Sequence, residues 1–228
     1  TGQSKFQKGF EPLPAGFITV PFNDLEALRN AITPKTAAIM LELIQGEGGV
    51  RVADKKYISE VRLLCTEKNI LLIFDEVQTG MGRTGHMFSY QNYRIVPDMI
   101  TLAKSLGGGF PIGALVANEK IAGTLEPGSH GTTFGGSPLA CSASLATFEA
   151  IKKEKLLDNA KIRGAYFLEK LNRGPVKLQD SITGQLIAVC EKPVDDCHPL
   201  GNPLWEIAGF GRAEVVDSKV VPPGITIY

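Results

Sequence analysis

Lys104 stands directly after the apolar run Met99-Ile100-Thr101-Leu102-Ala103 and directly before Ser105-Leu106-Gly107-Gly108-Gly109. A second apolar run upstream, Ile70-Leu71-Leu72-Ile73-Phe74, ends on Asp75-Glu76-Val77-Gln78-Thr79-Gly80. Both runs read as buried strands, which places an amine and a carboxylate at strand C-terminal ends. In an open α/β sheet, ligands bind at that edge. A lysine there can form a Schiff base with a carbonyl cofactor, and an aspartate can hold a pyridinium nitrogen protonated. The pair points to pyridoxal 5′-phosphate (PLP) chemistry. Asp75 alone would read as a helix cap or a surface ion pair. A lysine between Ala103 and Leu106 on a buried strand, however, is unusual without a task.

Other residues leave two readings open. Gln78 is either a turn residue or a contact to the phenolic oxygen of such a cofactor. Glu42 and Glu47 flank the loop Gln45-Gly46 as solvated acids or as a gate for a charged substrate. Ser129-His130-Gly131-Thr132-Thr133-Phe134-Gly135-Gly136 offers hydroxyls and free amides before a helix, which suits a phosphate or an ordinary capping turn. Gly80-Met81-Gly82-Arg83-Thr84-Gly85 matches the dinucleotide pattern G-x-G-x-x-G. That pattern needs its first glycine at the strand end and a helix opening on the phosphates. Here Asp75 and Glu76 intervene, and acids are poor company for pyrophosphate. Cys190, Cys197 and His198 lack zinc-site spacing and a fourth ligand, so no metal is expected.

The 228 residues are 43% apolar, ample for a packed core and one to two domains. With 24 basic and 24 acidic side chains, no field favours nucleic acid or an anionic membrane. No apolar stretch has the length of a membrane span, and no signal peptide is expected. Cys65 and Cys141 fall within apolar helical patterns as core residues, and the cysteines show no paired spacing. A reduced, cytoplasmic protein is the expectation.

The elements that must position these groups alternate. Residues 23–32 read as a helix capped by Asn23 with Glu26 completing a capping box, and residues 37–43 read as a strand. Asp54 opens a helix through Lys68 with Ile58, Val61 and Cys65 inward. Strands are expected at 70–74, 99–103 and 112–117. A long helix follows Pro138 through Leu171, broken near Gly164, with Leu145, Phe148 and Ile151 at core spacing. This alternation implies a largely parallel sheet covered on both faces. The loop glycines would let a phosphate-bearing ligand approach the backbone. From residue 174 prolines recur, and short strands are expected at 185–190 and 215–221.

Taken together, the chain resembles class III (subgroup II) PLP-dependent aminotransferases, most of all the acetylornithine aminotransferases. The resemblance rests on Glu42-Leu43-Ile44-Gln45-Gly46-Glu47-Gly48-Gly49, Phe74 to Gly80, Leu102 to Gly109 and His130 to Gly136, in family order and spacing. It implies a PLP-dependent transferase of fold type I: residues 1–160 as part of the large domain, residues 161–228 as a shortened small domain. It further implies that Lys104 carries the cofactor and shuttles a proton, Asp75 pairs with the pyridine nitrogen, and Gln78 contacts the ring oxygen. Thr133 would reach the phosphate of a neighbouring subunit's cofactor in a homodimer with shared sites, leaving an exposed apolar patch around 126–140. Glu47 resembles the gate that 2-oxoglutarate displaces.

The chain also departs from the family. Its Gly-Thr phosphate loop and ring-stacking aromatic are not found, so the chain is expected to begin inside the large domain. Lys219-Val220-Val221-Pro222-Pro223 echoes an Arg-x-x-Pro-Pro that binds the substrate carboxylate, but lysine lacks the bidentate fork. Ser137 stands where the family usually has asparagine. The expected reaction moves the terminal amino group of N-acetylornithine to 2-oxoglutarate, in arginine biosynthesis. Ornithine, succinylornithine and 4-aminobutyrate are alternative donors, and a non-catalytic truncated remnant is the alternative of another class.

Overall fold

The computed structural model describes residues 2–172, 176–179 and 186–190. In chain order the elements are α1 (Ser4–Gln7), α2 (Leu25–Ala31), β1 (Ala38–Glu42), β2 (Ile44–Gln45), β3 (Arg51–Val52) and α3 (Lys55–Lys68). Then come β4 (Leu71–Asp75), β5 (Met99–Leu102), β6 (Ala114–Ala117), α4 (Glu119–Ala122), α5 (Pro138–Lys153), α6 (Leu156–Asn172), β7 (Val176–Gln179) and β8 (Leu186–Cys190). The chain divides into two units, one of residues 1–48 and 52–160, the other of 49–51 and 161–228. In the second, β7 and β8 pair antiparallel, and the strand expected at 185–190 is β8. Lys219 and the strand expected at 215–221 lie outside the described residues. Among the described residues, no helix is long and apolar enough to cross a membrane.

The first unit is built on a four-stranded sheet in the order β1-β4-β5-β6. β1, β4 and β5 run parallel, while β6 is antiparallel to β5. One face is dry. Leu72 and Phe74 are fully buried there beside Ile58, Val61 and Cys65 of α3. Burying a large aliphatic or aromatic side chain is worth about 1.5–3 kcal/mol, so this layer holds the strands in place. The other face is not fully covered: Met40 is 57% exposed, and Leu115 of β6, on the same face by register, stands open. The expectation of two covered faces is corrected for the described chain.

Local chemistry explains where the helices start and stop. Asp54 caps α3 by accepting the N–H groups of Lys56 and Tyr57, and Asn69 ends it in the left-handed region at φ 53°. α2 is capped by Asp24, which accepts the Ala27 N–H, rather than by Asn23. Asn23 takes a left-handed φ of 62° that asparagine tolerates. Its amide ties the chain to Val52 O and to the Asp54 N–H. The long helix breaks at Glu154 and Lys155, where Lys155 has φ 52°, and not at Gly164, which lies inside α6. On α5, Phe148 and Ile151 meet the core but Leu145 and Cys141 are exposed, so two expected core residues are not core.

Candidate active site

Sheet register builds the site. Glu42 pairs with Asp75, and Asp75 with Thr101, so the three side chains form one row across the C-terminal ends of β1, β4 and β5. In a sheet, residues paired in register share a face. Beyond β5 the chain turns sharply. The strand ends at Leu102, and Lys104 opens a 3₁₀ turn with φ 47°. A non-glycine residue held there costs about 1–3 kcal/mol and persists only where its surroundings over-determine it. Lys104 is therefore exposed at the mouth of the site, not buried on a strand as its neighbours suggested.

The glycines after Lys104 make this turn possible by packing. A Cβ on Gly107 would lie 2.8 Å from Ile112 Cγ2. One on Gly108, itself at φ 60°, would lie 2.7 Å from Thr147 Oγ1 of α5. Their bare backbone leaves room for Ile112 before β6 and for Thr147 of α5. Across the turn, Arg83 donates from Nε and Nη2 to Ser105 Oγ at 3.2 and 3.0 Å. That contact ties the loop after β4 to the residue next to Lys104.

A cavity of about 300 Å³ opens at this edge, within the size of small-molecule sites. Glu42, Glu47, Asp75, Val77, Gln78 and Lys104 line it, joined by Gln3 and Phe6 of the first helical turn. The ion pairs among the described residues are Arg29–Glu60 and Arg62–Asp98, so neither the amine nor the carboxylates of the cavity are committed to one. Asp75 Oδ1 accepts the Val77 N–H at 2.9 Å and the Thr101 hydroxyl at 3.1 Å. Among the described residues nothing donates to Oδ2. Glu42 accepts the Gly46 N–H at 3.1 Å, which folds the β1–β2 loop over the row. Gly46 leaves room for Gln78, since a Cβ there would meet the Gln78 amide at 2.7 Å.

Behind Asp75 lies Glu76, only 1% exposed. Its Oε2 accepts the Thr79 hydroxyl and the Ser89 N–H, both at 2.9 Å, and its Oε1 accepts the Tyr90 N–H at 2.8 Å. Burial pushes its carboxyl above the ordinary range, and the three hydrogen bonds only partly offset that. This anchor holds the turn that presents Val77 and Gln78. Sequence reasoning saw Glu76 only as an acid, and it missed Thr101 altogether. The usable signal for Thr101 was a hydroxyl inside an apolar run, one residue short of its strand end.

Four of the sequence-derived site residues, Lys104, Asp75, Gln78 and Glu47, thus line one cavity. Thr133 does not; it is exposed in the loop before α5, next to Phe134 at 85% exposure, and Leu139 in the first turn of α5 is 66% exposed. Ser137 caps α5 by accepting the Ala140 N–H. No helix opens directly after Gly80-Met81-Gly82-Arg83-Thr84-Gly85. There Gly80 instead relieves a contact with Glu76 O, since a Cβ would sit at 2.8 Å. An uncommitted carboxylate oxygen and an unpaired amine in one cavity fit a pyridine ring bearing a carbonyl.

Residues 1–194 match the model of the family described as aminotransferase class-III. The chain belongs to that family. It is 61% identical over 173 residues to the acetylornithine aminotransferase of Methanocaldococcus jannaschii, covering 75% of this chain and 43% of that protein. It is 50% identical over 203 residues to that of Caldanaerobacter subterraneus subsp. tengcongensis, covering 88% and 51%. The chain spans about half the length of these relatives. Among solved structures, an ornithine aminotransferase from Toxoplasma gondii superposes with a TM-score of 0.73 at 38% identity, over 82% of this chain and 45% of that one. That structure is described as having partial occupancy of PLP at its active site. The fold is α/β with a mostly parallel sheet, as in these PLP enzymes of fold type I.

Proposed function

We propose that this chain forms part of a PLP-dependent aminotransferase that moves the terminal amino group of N-acetylornithine to 2-oxoglutarate, in arginine biosynthesis. The observation that carries the reading is that Lys104 and Asp75 line one cavity in a class-III aminotransferase chain, Asp75 with one oxygen uncommitted. PLP supplies an electrophilic carbonyl and a ring that withdraws electrons from a carbon bonded to nitrogen.

Lys104 Nζ would hold the cofactor through its carbonyl carbon, and the same amine, when free, would be the base for a proton on the substrate's amine-bearing carbon. Asp75 Oδ2 would accept the ring N–H and so favour the protonated nitrogen, and Gln78 would contact the ring oxygen. Glu47 gates the mouth, its carboxylate favouring a cationic partner until a dicarboxylate arrives, and Lys219 contributes a charge for the substrate carboxylate. Thr133 serves the phosphate in a neighbouring subunit, which its exposure beside the open Phe134 and Leu139 supports. In this reading the working unit is a homodimer in the cytoplasm, with residues 1–160 in the cofactor-bearing domain and 161–228 in a smaller one.

Ornithine as donor is the second reading, favoured by the likeness to the ornithine aminotransferase fold at 38% identity. The 50–61% identity to acetylornithine aminotransferases favours the acetylated donor. The test is glutamate formation from 2-oxoglutarate with each donor, together with borohydride reduction of the PLP-loaded protein. Label on the Lys104 peptide, lost in Lys104→Ala, is expected. Label on another lysine would overturn the assignment, and faster turnover of ornithine would replace the donor.

A further inference from the structure

Thr101 lies beside Asp75 in the register of the parallel β4–β5 pair, and its hydroxyl donates to Asp75 Oδ1 at 3.1 Å. The same oxygen takes the Val77 N–H at 2.9 Å. Both donors therefore act on one oxygen, and none among the described residues acts on the other. The terminal torsion of an aspartate is broad and roughly two-fold, so an unrestrained carboxylate exchanges its oxygens freely. Val77 alone is a local restraint, two residues along a turn. Thr101 adds a restraint from a different strand, fixed in direction by the sheet and by the stiff χ1 of a β-branched side chain.

Resting on the reading that Asp75 meets the ring nitrogen, we infer that Thr101 is a positioning residue that pins Asp75 Oδ1 so that Oδ2 is the oxygen presented to the cavity. A hydroxyl has a single proton to donate, and here it goes to Asp75. The β-branch matters as well as the hydroxyl. Serine would keep the donor with a looser χ1, and valine would keep the shape without the donor.

The experiment loads wild type, Thr101→Val, Thr101→Ser and Asp75→Asn with PLP carrying an isotope-labelled ring nitrogen. It reads the cofactor dissociation constant by absorbance titration and the ring-nitrogen chemical shift, neither of which depends on turnover. Circular dichroism of each unloaded protein controls for folding. Thr101→Val should fold as wild type, bind PLP about tenfold more weakly, as expected for one hydrogen bond to a charged group, and shift the nitrogen signal toward the unprotonated form. Thr101→Ser should recover most of both effects.

A Thr101→Val protein indistinguishable from wild type, beside an impaired Asp75→Asn, would overturn the inference. So would a serine variant as impaired as the valine one. An unimpaired Asp75→Asn would instead overturn the reading of the cavity itself. If Thr101→Val does not fold, Thr101→Ala takes its place with the same outcomes.

Discussion

Replacing Glu76 with Ala removes the acceptor of three donors at once: the Thr79 hydroxyl and the N–H groups of Ser89 and Tyr90. At 1% exposure, water does not reach the site to replace it. Each buried donor left unpaired costs about 1–3 kcal/mol, so Glu76→Ala should lose about 3–6 kcal/mol after partial relaxation. Glu76→Gln is the sharper probe. With its carbonyl at the Oε2 position it still accepts from Thr79 and Ser89, and only its NH2 group opposes the Tyr90 N–H. One mismatch predicts a loss of about 1–3 kcal/mol. Urea unfolding of the unloaded protein measures both, and thermal midpoints should fall by about 2–4 °C per kcal/mol for a chain of this size.

The pH dependence fixes the sign. Burial raises the Glu76 carboxyl, the bonds from Ser89, Tyr90 and Thr79 oppose the rise, and the nearby Asp75 charge adds to it. The folded state therefore binds this proton more tightly than the unfolded chain does. Its stabilising contribution is complete below the unfolded value of about 4.3 and is lost as pH rises through the folded value. Glutamine carries no such proton, so the stability gap between wild type and Glu76→Gln should narrow as pH rises across that window. A gap that widens would refute the claim that burial outweighs the three bonds. An alanine variant within about 0.5 kcal/mol of wild type would refute the anchor altogether.

Three further outcomes are expected. Gly46→Ala should keep the fold yet displace the Gln78 amide, which a Cβ would meet at 2.7 Å. It should therefore lower turnover as Gln78→Ala does, and the double variant should be no worse than either, since the two share one effect. Burial raises the Asp98 carboxyl, but the Leu72 N–H, the Arg62 guanidinium and the Asn118 amide outweigh it, and the net shift is downward. Asp98 should thus add stability above about 3.9 that is lost as pH falls through the folded value, and Asp98→Asn should abolish that acid-limb dependence in unfolding titrations. Burial pushes the Cys65 thiol up to about 11, whereas Cys141 is exposed. At pH 8 about one Cys65 in a thousand is thiolate, so mass spectrometry after brief alkylation should find Cys141 modified and Cys65 not.

Much of this molecule was legible before its fold was known, and for a local reason. The runs that became β4 and β5, the Asp54 cap of α3, and the carboxylate and lysine at the strand ends all declare themselves within a few residues. Apolar periodicity and capping act over that range. Where two neighbouring residues could do the same local job, the sequence was ambiguous. Asn23 and Asp24 are equally good caps, and the left-handed backbone at Asn23, at φ 62°, decided between them. Leu145 kept a helical spacing with Phe148 and Ile151, yet spacing does not say how wide a stripe the neighbouring elements cover.

The rest depended on partners far apart in the chain. The row of Glu42, Asp75 and Thr101 exists only because the register of three strands brings their ends level. The reversal of β6 against β5 left no mark in its four residues, whose pattern suits either direction. The turn at Lys104 is set by Ile112 and Thr147 pressing on Gly107 and Gly108, and that of Glu76 by amides more than ten residues downstream. Composition and periodicity named the reactive groups, because side-chain chemistry belongs to the residue itself. Packing chose which oxygen of Asp75 stays free, because that depends on a hydroxyl from another strand, and no local pattern encodes where that strand lies.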